Sequence, residues 1–174
     1  YNQPSHWEQI NNFVFESDYI RNYGNSLSLS KNISNVVDTS IYRLAISAPM
    51  LSKEDINNAS DNNLNYGYVE IYELKKTSNN WSSIIMGTRI INFNNYYNFG
   101  YSVSLSKDGS RVSISSPFGN NNNGIIKIYD WDGVDWKLYF HIEDDNIDNQ
   151  FGYNISLNND GTKLVTSAPF YNHF

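Results

Sequence analysis

The chain has 174 residues, 40% of them hydrophobic and 16% aromatic, which is enough for a packed core and excludes a disordered chain. It carries 18 acidic residues against 12 basic ones, a formal net charge of −6. With no Lys/Arg cluster, neither nucleic acid nor an anionic membrane is expected as a partner.

The sequence starts at Tyr1 without a signal-peptide pattern, so a processed N-terminus or a longer parent chain is expected. The first marker is Trp7-Glu8-Gln9-Ile10. It is followed by Tyr23-Gly24-Asn25-Ser26-Leu27-Ser28-Leu29-Ser30, an aromatic-Gly pair and then strict polar/apolar alternation. Such alternation predicts a strand with one packed face, and the Gly allows a backbone shape or a close neighbour that a side chain would block. After a loop over residues 31–41, Arg43-Leu44-Ala45-Ile46-Ser47-Ala48 predicts a second strand, ended by Pro49, which has no N–H for a ladder. A polar Asn/Asp/Ser stretch over 51–65 precedes a third strand, Gly67-Tyr68-Val69-Glu70-Ile71-Tyr72-Glu73, and Trp81-Ser82-Ser83-Ile84 marks a fourth.

The series then repeats. Phe99-Gly100-Tyr101-Ser102-Val103-Ser104-Leu105-Ser106 leads through Lys107-Asp108-Gly109-Ser110 to Arg111-Val112-Ser113-Ile114-Ser115-Ser116-Pro117. Gly124-Ile125-Ile126-Lys127-Ile128-Tyr129-Asp130 and Trp136-Lys137-Leu138-Tyr139 complete this copy. A third copy starts at Phe151-Gly152-Tyr153-Asn154-Ile155-Ser156-Leu157-Asn158 and passes through Asn159-Asp160-Gly161-Thr162 to Lys163-Leu164-Val165-Thr166-Ser167-Ala168-Pro169. Asp-Gly between alternating segments predicts a tight hairpin in which both turn positions accept positive φ. From Trp7, Trp81 and Trp136 to the next Gly of an aromatic-Gly pair the spacing is 17, 19 and 16 residues. The first repeat spans 76 residues and the second 52, the excess lying in the 31–41 and 51–65 insertions. Insertions of this kind sit at a rim and often carry binding.

Taken together, these markers resemble FG-GAP repeats, the β-propeller repeats also found in the head of integrin α subunits. Phe99-Gly100 and Phe151-Gly152 carry the first half of that motif, and Ser-Ala-Pro or Ser-Ser-Pro stands in place of Gly-Ala-Pro. The likeness is to the compact version of bacterial, algal and viral proteins, and it covers nearly the whole chain. It implies an all-β fold of four-stranded antiparallel blades, about two and a half of them in an incomplete ring. Residues 1–22 would be the last strand of a preceding blade and a linker, and 23–98 a blade with two loop insertions. Residues 99–150 would be a compact blade, and 151–174 the first two strands of a further one. Many integrin-type repeats carry a D-x-D-x-D-G calcium loop between the first two strands; here Lys-Asp-Gly-Ser and Asn-Asp-Gly-Thr stand there, without that ligand set.

Chemistry beyond the repeat is sparse. Cys is absent, which removes disulfides and thiolate metal sites. No apolar run approaches the length of a membrane span, so membrane insertion is not expected. Asp144, Asn146 and Asp148 have the alternate spacing of calcium-loop oxygens, but no Gly follows and no bidentate Glu closes the loop. A solvated acidic connection is the more economical reading. Calcium is the one ion the spacing admits, and no other cofactor is implied. His6, His141 and His173 are not in metal-ligand spacing, and no nucleophile, phosphate-loop or dinucleotide motif is present, so no enzyme is expected.

Asn makes up about a sixth of the chain and falls mainly at predicted turns, where it tolerates left-handed backbone. Four triplets match the N-glycosylation acceptor, about the number chance predicts at this composition. Asn32, Asn58 and Asn80 fall in turns or insertions and are the candidate acceptors, whereas Asn154 lies in a predicted strand. Tyr96 and Tyr97 precede Phe99 and are candidate surface contacts. The resemblance implies a non-catalytic module for protein or glycan binding, extracellular or on a virion or cell surface. The alternative is a structural subunit of a fibre or capsid-like assembly, in which copies complete each other's split blades.

Overall fold

The computed structural model describes residues 22–50, 67–78, 80–92, 98–145 and 148–171. Strand β1 (Leu27–Leu29) pairs antiparallel with β2 (Thr39–Ala48), β2 with β3 (Tyr68–Thr77) and β3 with β4 (Asn80–Ile85). The short β5 (Ile90–Ile91) continues beside β3, opposite Tyr68 and Val69. The second sheet repeats this order with β6 (Val103–Leu105), β7 (Arg111–Ser116), β8 (Ile125–Trp131) and β9 (Trp136–Glu143). Strands β10 (Ile155–Leu157) and β11 (Leu164–Thr166) form a pair equivalent to the start of each sheet. Register is kept across the copies, with Leu27 facing Ile46, Val103 facing Ile114 and Ile155 facing Thr166. The chain is all-β, and its strands pair antiparallel with their neighbours in chain order, across the tight Asp-Gly turns and the longer loops alike. The described sheets form an open series.

Three local features depart from the simple reading. In the Asp-Gly turns only Gly109 (φ 66) and Gly161 (φ 68) are left-handed; Asp108 and Asp160 are not. The Gly109 amide donates to the Ser106 carbonyl, and the Ser106 amide to the Arg111 carbonyl, so the hairpin closes through a turn with one left-handed Gly rather than two positive-φ positions. The fourth segment of the first repeat is split into β4 and β5 at Gly87 (φ 68). The split arises where the next repeat packs: a methyl at Gly87 would lie 2.6 Å from Asp135 Oδ1 and 2.9 Å from the Trp131 ring. Left-handed residues also precede each aromatic-Gly pair, at Asn22 (φ 64), Asn98 (φ 62) and Gln150 (φ 52). Asn at two of the three places fits its low cost in this conformation.

The core lies between the first two sheets. Ala45, Val69, Ile71, Met86 and Ile90 of the first meet Phe99, Val103, Leu105, Val112, Ile114, Tyr129 and Trp136 of the second. The Trp136 indole N–H donates to the Met86 carbonyl at 3.1 Å, so its polar atom is satisfied inside the core. No helix among the described residues is long and apolar enough to cross a membrane.

Candidate functional site

The repeats join through a set of contacts that occurs twice with equivalent atoms. The amides of Val103 and Leu105 in β6 donate to Ser26 Oγ at 3.1 Å and Ser28 Oγ at 2.9 Å. One repeat later, the amides of Ile155 and Leu157 in β10 donate to Ser102 Oγ at 3.3 Å and Ser104 Oγ at 2.9 Å. The Lys31 amide donates to the Lys107 carbonyl, and the Lys107 amide to the Asn159 carbonyl. Serine suits these rungs because its hydroxyl reaches a neighbouring strand and accepts an amide that would otherwise be buried without a partner.

The aromatic-Gly pair seats each repeat on the one before. A methyl at Gly100 (φ 93) would lie 3.1 Å from Ser47 Cβ and the Tyr68 carbonyl oxygen. A methyl at Gly152 (φ 88) would lie 3.1 Å from Ser115 Cβ and from Ile126 Cγ1. The fit is reciprocal, since a methyl at Gly67 or Gly124 would run into the carbonyl oxygen of Phe99 or Phe151. Phe99 is buried, as are Pro49 and Pro117 at the ends of β2 and β7, whereas Pro169 is exposed. Arg43 lies against Gly109 and Arg111 against Gly161, with Arg111 Nη1 donating to the Gly161 carbonyl at 2.9 Å. Arg111 also holds Asp130 through two hydrogen bonds, 2.6 and 2.7 Å, and lies over the Tyr139 ring at 4.2 Å.

One end of the stack carries a row of aromatic side chains. Tyr101 and Tyr153, each directly after the seated Gly, have ring centroids 5.1 Å apart, and Tyr101 meets Phe118 edge-on at 5.4 Å. Phe118 and Phe170 follow the strand-ending prolines, and Phe170 and Tyr171 are about half exposed at 56% and 47%. A hydrogen bond to Tyr153, with some burial, pushes the Tyr101 phenol up to about 12, so it stays protonated. In the first repeat Asn25 takes the Tyr position, and its Nδ2 donates to the Tyr101 carbonyl at 3.0 Å. Next to Phe118, Asn120, Asn121 and Asn122 form a left-handed turn (φ 51, 57 and 65), and Asn122 Nδ2 donates to Asp148 Oδ1 at 3.1 Å. Aromatic faces beside amide groups can stack on and hydrogen-bond to a neutral polar ligand, such as a sugar ring or a protein loop.

The opposite end carries the turns and the 31–41 loop. Partial burial pushes the Asp108 carboxyl up, but hydrogen bonds from Ser106 and Ser110 outweigh it and hold it below its ordinary value. Asp160 is lowered likewise, chiefly by the Thr162 hydroxyl and amide. These carboxylates shape the two hairpin turns. Asn32 fixes the long loop, its Oδ1 accepting from the amides of Ile41 at 2.8 Å and Ser34 at 3.1 Å. An open cavity of about 410 Å³ lies beside it, lined by Asp38, Thr39, Ser40, Lys76 and Ser78.

The remaining sequence candidates are scattered. Asp144 accepts from Asn149 Nδ2 at 2.9 Å and Asp148 from Asn122, so both carboxylates are engaged by amides; Asn146 lies outside the described residues. No three His, Cys, Asp or Glu side chains come together among the described residues. Asn80 is exposed at the start of β4, His141 is exposed in β9, and Trp81 packs near Tyr42 at 6.1 Å. Trp7, Asn58, Tyr96, Tyr97, His6 and His173 lie outside the described residues, and among the described residues beyond its chain neighbours Gly24 has no atom within 4 Å of where its methyl would stand. Sequence reasoning missed the role of Ser26, Ser28, Ser102 and Ser104, whose signal was the same residue type at the same place in successive repeats. The fold and its junctions define an all-β protein of stacked antiparallel repeats. No protein-family model matches the sequence, and no curated protein matches it.

Proposed function

We propose that the chain is a segment of an FG-GAP-type β-propeller and serves as a non-catalytic module that binds protein or glycan at a cell or virion surface. The observation that carries this reading is the twice-repeated seating of an aromatic-Gly pair on the preceding sheet, which gives that motif a physical role. The stack then presents the Tyr101, Phe118 and Tyr153 row at one rim, where amphipathic rings recognise a partner at little conformational cost. The carboxylates Asp108, Asp160 and Glu70 hold turns and core contacts, which suits a scaffold better than a reaction centre.

Immobilised glycans and surface-protein ectodomains are the probes. The folded chain is expected to bind a subset, and Tyr153→Ala or Phe118→Ala to weaken that binding about tenfold or more. Leu138→Ala, far off in β9, should leave it unchanged. A wild-type chain that binds neither class overturns the reading. The exposed face of β1, with Leu27 60% and Leu29 59% exposed, favours a second reading, a structural subunit whose copies complete each other's sheets.

A further inference from the structure

The two internal junctions give the end faces of the stack a defined chemistry. Each junction joins a donor half, the amides and apolar side chains of a first strand, to an acceptor half, the hydroxyls of the preceding one. Leu27 and Leu29 hold the donor positions in β1, equivalent to Val103 and Leu105 in β6. Val103 and Leu105 are 5% and 7% exposed, yet Leu27 and Leu29 are 60% and 59% exposed. Among the described residues, no hydroxyl meets the Leu27 and Leu29 amides as Ser26 and Ser28 meet those of β6. Gly24 already has the left-handed shape of the seated glycines, with φ 82, but among the described residues beyond its chain neighbours nothing lies within 4 Å of where its methyl would stand.

Among the described residues, the acceptor side of the last pair is uncovered. Asn154 and Ser156 hold the places of Ser102 and Ser104, both are exposed, and both side chains carry an acceptor oxygen. Val165 is 72% exposed where Ala45 is buried at 0%, and Ser167 stands where Ser47 and Ser115 receive the next glycine. At the level of the first two strands of a repeat, the two end faces of the described residues thus carry complementary groups, and they sit on different surfaces of the same molecule.

We infer that β10 and β11 of one copy take up β1 and β2 of a second copy, head to tail, in the register of the internal junctions. The Leu27 and Leu29 amides of the incoming copy would donate to Asn154 Oδ1 and Ser156 Oγ, and its Gly24 would seat against Ser167. This deepens the assembly reading and is independent of the binding role of the aromatic rim. Such contact is heterologous, so it propagates into a ring or an open filament instead of stopping at a symmetric dimer.

Sedimentation of the full chain over a range of concentrations tests it, with Leu27→Glu to block one half and Val165→Glu to block the other. Both positions are exposed, and circular dichroism checks the fold; Leu29→Glu and Ser156→Tyr stand in if either variant unfolds. Wild type is expected to grow beyond a dimer with concentration, and each variant alone to remain monomeric. An equimolar mixture of the two is expected to give a 1:1 dimer, because one good half remains on each partner. A wild type monomeric throughout overturns the inference, as does association that Leu27→Glu abolishes and Val165→Glu leaves intact, the signature of face-to-face pairing. A monomer that still binds glycan or ectodomain would remove the assembly and leave the binding function standing.

Discussion

Glu70 is 6% exposed, and its carboxylate is the meeting point of three donors. Tyr23 and Tyr72 donate to Oε2 at 2.9 Å each, while Arg89 reaches Oε1 at 2.7 Å and lies over the Tyr68 ring at 4.1 Å. Burial, together with hydrogen bonding to Glu70, pushes the Tyr23 phenol well above its ordinary range, which keeps it a donor. Glu70→Ala would take the shared acceptor from two partly buried hydroxyls and an arginine. Because the Arg89 side chain is 43% exposed, it rehydrates, and the expected loss of about 2–3 kcal/mol falls below that of a fully buried pair. Urea unfolding measures it, and an unchanged midpoint would show the cluster to be ornamental. Asp108 sets a pH dependence of definite sign. Its folded-state value is lowered, so its stabilisation is present above the ordinary carboxylate value of about 4 and is lost as pH falls through the lower folded value. Thermal melts of Asp108→Asn should therefore be flatter with acidification than those of wild type. Equal acid slopes in the two proteins would remove Asp108 from the account.

Strand order and register were legible in the sequence because each strand announces itself locally. Alternation fixes which face is buried, Pro49 and Pro117 stop the second strands, and the Asp-Gly pairs locate the hairpins. What was not legible depends on atoms from another sheet. The split at Gly87 follows from Trp131 and Asp135 of the next repeat, and the Glu70 cluster needs Arg89, from beyond the β4 segment. The serines alternated visibly, but only the stack shows that their hydroxyls cross to the next first strand. The glycines divide the same way, and that division is testable. At Gly67 a methyl would meet the Phe99 backbone oxygen, which belongs to the seated loop and cannot yield as a side chain would. Gly67→Ala is expected to cost about 3 kcal/mol or more. Gly24→Ala meets no such atom among the described residues and should cost only the strain of its φ of 82°, about 1 kcal/mol. Denaturant midpoints of the two variants compare them directly, and similar losses would mean that the seat is not tight.

A stack of repeats is held by each sheet's neighbours, so stability should follow position along the series. The second sheet is covered on both sides, by the first sheet and by β10 and β11. Its Val112, Ile114 and Ile126 are 0% exposed. Among the described residues the outer elements are covered on one side at most, and Val165 in β11 is 72% exposed, with Ile84 and Ile85 in β4 at 63% and 47%. Amide exchange is therefore expected to be slowest in β7 and β8 and fastest in β10 and β11, with β4 close to the fast end. The hydroxyl rungs give this gradient a handle. Ser104→Ala removes the acceptor of the Leu157 amide without altering the pairing of β6 with β7, because Ser104 and Ser113 still pair through their backbones. Exchange in β10 and β11 should then quicken, by an amount matching the about 1–3 kcal/mol of one lost buried hydrogen bond. Exchange in β7 and β8 should hold its wild-type rate. If all strands instead accelerated together, the repeats would open as one unit and the junction would not be a separable interface.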